Sequence, residues 1–166
     1  MTFGIRGAFG NEETHPSGQC SMLPMETVTV SVLSAEAGTI THAKGEIVHL
    51  EYSGGGWTAD ALVAADIVHA DAQGGLFGIT AESFVGGTVG KVHIKGRVEV
   101  ISGATITSGS PFTGEINSLV GNANAAAKDT DSVVLGIVAE ADLSDGNLGF
   151  VYFDGFCRGN LPDTAS

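Results

Sequence analysis

The sequence predicts an all-β fold, a small barrel or sandwich built from two repeated hairpin units and preceded by an extended N-terminal arm. The 166 residues include 25 glycines, only 16% are charged, and β-branched runs alternate with Gly, Ser, Asn and Asp, which is typical of short strands joined by turns. No long stretch has helical periodicity. A chain of this length buries roughly 70% of its unfolded surface, so one core needs no covalent staples.

An internal repeat is the strongest of these observations. Residues 76–96, LFGITAESFVGGTVGKVHIKG, return as residues 134–155, VLGIVAEADLSDGNLGFVYFDG. The offset is 134 − 76 = 58 before the turn and 149 − 90 = 59 after it, so the second copy has one extra residue in its turn. We interpret the repeat as a structural hairpin, with units at about 66–101 and 124–157, because it preserves scaffold residues. These are Gly78, Ile79, Glu82 and Gly96 in the first copy, and Gly136, Ile137, Glu140 and Gly155 in the second.

The strands follow from period-2 alternation. Residues 27–33 alternate valine with threonine and serine, which predicts a half-buried strand. In residues 46–52, Val48, Leu50 and Tyr52 share one face, opposite the face of Ile47, and the glycines of residues 53–57 supply a turn.

Further strands are predicted at 66–70, 76–82 and 89–95, the last continuing past Gly96 to residue 101. In the second copy, Asp145-Gly146 predicts a hairpin turn in which both central residues take positive φ. The alanine-rich residues 121–130 are predicted to be a loop with at most one helical turn. A single β domain would then span residues 26–157, followed by a tail at 158–166.

The N-terminal 25 residues carry apolar side chains without strand or helix period. They could be a disordered terminus, a strap over the same domain, or an arm that orders on a partner protein. The candidate contact residues are Phe3, Ile5, Phe9, Met22, Leu23 and Met25.

The net charge is −12, which argues against binding to nucleic acid or to anionic membranes. No apolar segment is long enough for a membrane span, and the first residues lack a signal-peptide core, so we expect a soluble, unexported product. Cys20 and Cys157 have neither zinc-site nor redox-motif spacing; whether they pair is left open.

No catalytic signature is present, and we predict a protein that is not an enzyme and needs no cofactor or metal. The GGTVGK segment at 86–91 lacks the first glycine, the Ser or Thr and the helix of a phosphate loop. The five histidines do not pair at ligand spacing. Glu82 and Glu140 are equivalent by the repeat and could serve a small hydrolase, but we interpret them as structural.

Trp57 and Tyr52 lie on either side of a glycine run and could form a platform for a glycan. This predicts, as an alternative, a glycan-binding or host-surface-binding module.

Residues 133–162, VVLGIVAEADLSDGNLGFVYFDGFCRGNLP, resemble the C-terminal part of tailed-bacteriophage head decoration proteins, the cement proteins related to the lambda capsid-stabilising protein. The matching elements are a Gly-Ile-x-Ala-Glu run from Gly136, a turn at Asp145-Gly146, a strand at 151–155 and the final apolar Leu161. Unlike the compact members, this chain is longer and contains a second hairpin copy.

The resemblance implies a structural virion protein on the outer capsid surface, assembled in the host cytoplasm. It implies a homotrimer at local threefold axes that bridges major capsid protein subunits, with the N-terminal arm ordering against them. The alternative, a glycan-binding or host-surface-binding module, would belong to a phage tail or fibre.

Overall fold

The predicted all-β fold is confirmed. The computed structural model describes residues 26–63, 76–115, 121–126, 133–139 and 141–155, and the backbone of 159–160. Within these ranges the chain forms strands and no helix, so this part contains no helix that could span a membrane. The strands are β1 Val28–Ser34, β2 Thr41–His42, β3 Ile47–Ser53, β4 Gly56–Ala61, β5 Leu76–Thr80, β6 Phe84–Val85, β7 Val89–Ile101, β8 Pro111–Gly114, β9 Ala123–Ala125, β10 Val133–Val134, β11 Gly136–Val138, β12 Leu148–Asp154 and β13 Gly159–Asn160.

Five strands close into a barrel that we call the N-terminal barrel. Its order is β1, β4, β3, β5 and the first half of β7, and β7 pairs back onto β1. The β1–β4 contact is parallel, and the other contacts are antiparallel. Closure leaves these strands without a free hydrogen-bonding edge, which protects them against aggregation.

The second half of β7 and strands β8, β9, β11 and β12 repeat this order and form what we call the C-terminal barrel, whereas β2 pairs with β6 and β10 pairs with β13 in two small separate sheets. The second half of β7 pairs with β12, and β11, β8 and β9 follow. Ser102, which follows β7, forms a parallel bridge to Ala123 of β9 and closes the circle. The long strand β7 therefore belongs to both barrels.

The predicted hairpin repeat has the same strand register in both copies. Ile79 of β5 pairs with His93 of β7, and Ile137 of β11 pairs with Tyr152 of β12. The separations are 137 − 79 = 58 and 152 − 93 = 59, the two offsets of the sequence repeat. The sequence repeat therefore corresponds to a repeat in the pairing of the strands.

The repetition extends beyond the hairpins into a region with little sequence identity. Val48 of β3 pairs with Ala61 of β4, and Phe112 of β8 pairs with Ala125 of β9. Both separations are 64, since 112 − 48 = 64 and 125 − 61 = 64. Strands β3 and β4 are thus the counterparts of β8 and β9.

The closing contacts repeat as well. Ser34 at the end of β1 bridges Ala59 in parallel, as Ser102 bridges Ala123. Here 102 − 34 = 68 and 123 − 59 = 64, so β1 is the counterpart of the second half of β7. The described chain is consequently a tandem duplication of one five-stranded unit.

Two equivalent glycines make room for one buried side chain in each barrel, Phe84 in the N-terminal barrel and Leu143 in the C-terminal barrel. We call these two residues the plug residues. A Cβ added to Gly90 would lie 2.2 Å from the Phe84 ring, and one added to Gly149 would lie 2.2 Å from Leu143 Cδ2. Phe84 and Leu143 are themselves equivalent, since 143 − 84 = 59. A larger residue at Gly90 would therefore clash with the rigid Phe84 ring, whereas at Gly149 the flexible Leu143 methyl would have to shift.

The buried apolar residues form two clusters. One fills the N-terminal barrel. The other fills the C-terminal barrel and extends to Ile47, Phe77 and Ile79 of the N-terminal barrel, so the two barrels share a hydrophobic contact. The first cluster comprises Val32, Val48, Leu50, Ala59, Phe84 and Val92.

The turn between β2 and β3 joins the N-terminal barrel to the C-terminal barrel. The amide of Ile101 donates a hydrogen bond to the Gly45 carbonyl at 2.8 Å, and the amide of Ile47 donates to the Gly121 carbonyl at 2.6 Å. Lys44 forms an ion pair with Glu99 beside these bonds. Residues 45–47 thus bridge the end of β7 and the residues before β9, where the C-terminal barrel closes.

Two local predictions are wrong. Residues 121–126 contain strand β9 rather than a loop or helical turn, because pairing with β8 and the burial of Ala123 override the weak β-propensity of Ala and Asn. In the described residues only glycines have positive φ, so Asp145 does not. The turn instead bonds the Asn147 amide to the Ser144 carbonyl and needs positive φ only at Gly146.

Burial along residues 46–52 does not follow the two predicted faces alone. Ile47, on the face opposite Val48, is fully buried because the C-terminal barrel covers it, and Tyr52 is 65% exposed at the open end of β3. The predicted strand at 66–70, the arm at 1–25 and the tail beyond residue 160 lie outside the described residues.

Candidate functional site

Tyr52 and Trp57 form an aromatic pair at one end of the N-terminal barrel. They are cross-strand partners on β3 and β4, and their ring centroids lie 5.2 Å apart in an edge-to-face arrangement. The turn between the two strands contains Gly54 and Gly55, which have positive φ and nothing within 4 Å of an added Cβ. The pair therefore stands beside an open, uncrowded turn, as the sequence predicted for a platform.

An apolar pocket opens next to this pair. It is lined by Val30, Leu50, Trp57, Leu76 and Ile94, which come from all five strands of the N-terminal barrel. Trp57 is half-buried and forms part of the wall, while Tyr52 is largely exposed. The pocket could accept an apolar group, and the Tyr52 ring offers a flat face to a ligand outside it.

A serine, a histidine and a glutamate meet inside the N-terminal barrel. Ser34 Oγ lies 3.0 Å from His42 Nε2, and His42 Nδ1 lies 3.6 Å from Glu46 Oε1. This order of groups is that of a nucleophile, a base and an orienting carboxylate. Ser34 and His42 are only 2% and 1% exposed, however, so a substrate could not reach the hydroxyl.

The duplication supports a core role for His42. Its counterpart in the C-terminal barrel is Ile106, at 106 − 42 = 64, and each of the two bridges the plug residue of its own barrel. His42 also packs on the Phe84 ring with centroids 4.9 Å apart. Sequence reasoning missed this cluster because the spacing of eight residues between Ser34 and His42, across the loop from β1 to β2, predicts no contact.

His93 occupies the half-buried outward position that its alignment with Tyr152 indicates. Its Nδ1 lies 2.8 Å from Thr29 Oγ1 on the neighbouring strand. Burial, and to a lesser extent the positive charge of Lys44, lowers the pKa of His93 below its ordinary value. The ring is therefore held in its neutral form near neutral pH.

The predicted repeat residues take equivalent places in the two hairpins. Glu82 is exposed, and Glu140, the other member of the carboxylate pair considered for a hydrolase, lies outside the described residues. The described residues contain no group of three or more side chains that could hold a metal ion. The six candidate contact residues of the arm also lie outside the described ranges. The repeat residues within the described ranges are Gly78, Ile79, Glu82, Gly96, Gly136, Ile137 and Gly155.

The fold has a counterpart among solved structures. It is similar to the head fiber gp8.5 N base of bacteriophage phi29, with a TM-score of 0.54 and 14% sequence identity. The alignment covers 82% of this chain and 99% of that one. At this identity the likeness concerns the fold. No family model matches the chain, and no curated protein sequence does.

Proposed function

We propose that the protein is a structural component of a phage virion that decorates the outer surface of the capsid and bridges major capsid protein subunits. The observation that carries the proposal is the fold, which this chain shares over 82% of its length with a phage head fiber base. The resemblance of residues 133–162 to head decoration proteins points independently to the same surface.

The mechanism is mechanical reinforcement. A packed genome presses outward on the shell, and a protein that binds across a seam adds buried area that opening the seam would have to expose. In a homotrimer each copy contributes one contact, and the linked contacts together hold far more tightly than one alone. The double barrel suits this role because its strands close into two rings and so present few free hydrogen-bonding edges in the part that the structure describes.

We propose that the N-terminal arm makes the contact with the major capsid protein. Phe3 and Phe9 are the largest apolar side chains of the arm and would anchor it in pockets of the shell. The acidic chain, with a net charge of −12, would then face solvent and keep virions apart.

Co-sedimentation with expanded heads that lack decoration tests the proposal. The full chain should pellet with heads at micromolar concentration, and the double variant Phe3→Ala, Phe9→Ala should lose at least tenfold in affinity. Tyr52→Ala, which removes an exposed aromatic residue from the barrel, is the matched control and should bind like the parent. Failure of the full chain to pellet with heads would contradict the proposal.

The aromatic pair favours a second candidate, a glycan-binding module on the virion surface. Tyr52 is 65% exposed beside an open turn, and Trp57 braces it from the next strand. Such an exposed ring offers a large, flat, apolar face on which a sugar ring can stack.

A glycan array with the full chain and Tyr52→Ala tests this candidate. Binding that disappears in the variant supports it, and Phe150→Ala, a change at an exposed aromatic residue of the other barrel, should leave binding intact. Absence of any bound glycan, or equal binding by Tyr52→Ala, would count against a platform at this end.

A further inference from the structure

The apolar pocket of the N-terminal barrel lies at an end that is closed over in the C-terminal barrel. Val30 and Ile94, which line the pocket, are only partly buried. Their counterparts in the C-terminal barrel are Val98 and Phe153, at 98 − 30 = 68 and 153 − 94 = 59, and these are 3% and 0% exposed. The two barrels therefore differ in what lies over this end.

The N-terminal barrel itself covers this end of the C-terminal barrel. Its residues Ile47 and Phe77 belong to the same buried cluster as Val98 and Phe153. Among the described residues, nothing covers the pocket of the N-terminal barrel to the same extent, because all of its lining residues except Leu50 stay partly exposed. The pocket is therefore an apolar surface that still lacks a cover.

The pocket has the size and shape to accept one apolar side chain. With its mouth it encloses about 230 Å³, which is less than the roughly 300–1,000 Å³ of most small-molecule sites. Between Val28 and Thr29 the pairing with β7 shifts by one residue, which leaves Ile94 as an extra residue of β7. Such a bulge redirects a side chain, and that of Ile94 lines the pocket.

The chain enters the N-terminal barrel beside this pocket. A Cβ added to Gly96 would lie 2.5 Å from the Cα atom of Thr27 and 3.0 Å from the Glu26 carbonyl oxygen. Gly96 is two residues from Ile94, which is about 7 Å along a strand. The residues that precede Glu26 in the sequence therefore begin within reach of the pocket.

We propose that Met22, Leu23 and Met25 fold back over this end of the N-terminal barrel and that Leu23 occupies the pocket. An extended chain spans about 3.3–3.6 Å per residue, so Leu23 lies at most roughly 10 Å from Glu26. Pro24 restricts the backbone of Leu23 to extended conformations, which reduces the entropy that docking costs. Burial of the apolar side chains supplies the driving force.

This contact divides the N-terminal arm into two parts. Residues 22–25 hold the base of the arm on its own barrel, and Phe3 and Phe9 remain available to a partner protein. An arm whose base is already fixed loses less conformational freedom on binding, so the pocket contributes to affinity without touching the partner. The contact forms within one chain and does not depend on the function proposed above.

The fluorescence of Trp57, the single tryptophan, provides the first test because its side chain lines the pocket. In the full chain without heads, the double variant Leu23→Gln, Met25→Gln should shift the emission to longer wavelength and increase quenching by acrylamide, because water reaches the indole. The double variant Phe3→Gln, Phe9→Gln is the matched control and should behave like the parent. Unchanged emission and quenching in the first variant, or a red shift in the control, would overturn the proposal.

A cysteine trap locates the segment. In a chain with Cys20→Ser and Cys157→Ser, the substitution Leu23→Cys is combined with Leu76→Cys in the pocket or with Leu33→Cys, which replaces a residue 45% exposed elsewhere on the barrel. A disulfide needs Cα atoms about 4.4–6.8 Å apart, so mild oxidation should close the first pair within one chain at least about tenfold faster than the second. Equal rates would refute docking in the pocket. Because no capsid is present in either test, a failure here is distinguishable from a failure of the head-binding experiment.

Discussion

Ile79 and Ile137 are the same residue at equivalent positions of the two barrels, but their surroundings differ. Ile79 is fully buried, whereas Ile137 is 49% exposed. The difference arises because the contact between the barrels covers the outer side of β5, and nothing in the described chain covers β11 to the same extent. Replacing each isoleucine by alanine therefore measures the contact between barrels with a matched pair of substitutions.

The magnitudes follow from the burial. Alanine removes three carbons, and at about 0.8 kcal/mol for each buried carbon the transfer contribution at Ile79 is about 2.4 kcal/mol. A cavity in a packed core adds to this, so Ile79→Ala should lower the free energy of unfolding by about 3–4 kcal/mol. At Ile137 about half of the transfer contribution remains and no enclosed cavity forms, so the loss should be about 1 kcal/mol.

Urea unfolding followed by the fluorescence of Trp57, the single tryptophan, provides both free energies. Protein concentration is held low and constant so that self-association does not contribute. Losses that differ by less than about 0.5 kcal/mol, or a larger loss at Ile137, would refute the burial of β5 between the barrels.

Three further predictions concern single residues. Because its pKa is lowered in the fold, His93 contributes stability above pH 6.5 that declines as pH falls below that value, so the decrease in melting temperature from pH 7.5 to 5.5 should be shallower in His93→Gln; parallel curves would contradict this. Thermal unfolding should show His42→Ile about 2 kcal/mol more stable than His42→Ala, because both changes remove the hydrogen bond to Ser34 and only isoleucine, which fills this position in the other barrel, leaves no cavity; equal stabilities would contradict this. Gly86→Ala should lower the yield of folded protein sharply, because its Cβ would lie 2.0 Å from the Ala37 carbonyl oxygen and backbone cannot yield as a side chain does; normal yield and an unchanged melting temperature would contradict this.

The hairpin repeat could be predicted from sequence because it depends on glycines that few other residues can replace. A Cβ at Gly136 would lie 2.0 Å from the Tyr152 carbonyl oxygen, and one at Gly155 would lie 2.0 Å from the Phe77 carbonyl oxygen. Such close backbone approaches require glycine, so the same glycines recur in both copies of the sequence. Their spacing was enough to assign both hairpins.

The rest of the duplication could not be predicted from sequence, because equivalent core positions of the two barrels carry side chains of different size. Val48 corresponds to Phe112, whereas Leu50 corresponds to Gly114, so a larger residue at one level of the core is matched by a smaller one at the next. Cores tolerate such exchanges when volume and pattern are kept. The identities between the strands are then lost while the register persists.

Burial that depends on the second barrel was likewise hidden from sequence. Alternation along β3 placed Ile47 opposite Val48, yet both are fully buried, since Ile47 faces the other barrel. The adjacency of Tyr52 and Trp57, by contrast, follows from a tight turn between neighbouring strands and was predicted. Local contacts could be predicted, and contacts between distant strands could not.

Comparison of the two barrels also indicates which residue of the aromatic pair supports the fold and which is exposed to a ligand. Trp57 corresponds to Gly121, at 121 − 57 = 64, and the Gly121 carbonyl accepts a hydrogen bond from Ile47 of the N-terminal barrel. The N-terminal barrel therefore covers this end with the half-buried indole of Trp57. The C-terminal barrel has its equivalent end covered by backbone of the N-terminal barrel. Trp57 serves the barrel itself, and Tyr52, which is 65% exposed, is the ring left for a ligand. Loss of binding on changing Tyr52 would thus report on recognition, whereas loss on changing Trp57 would report on the fold as well.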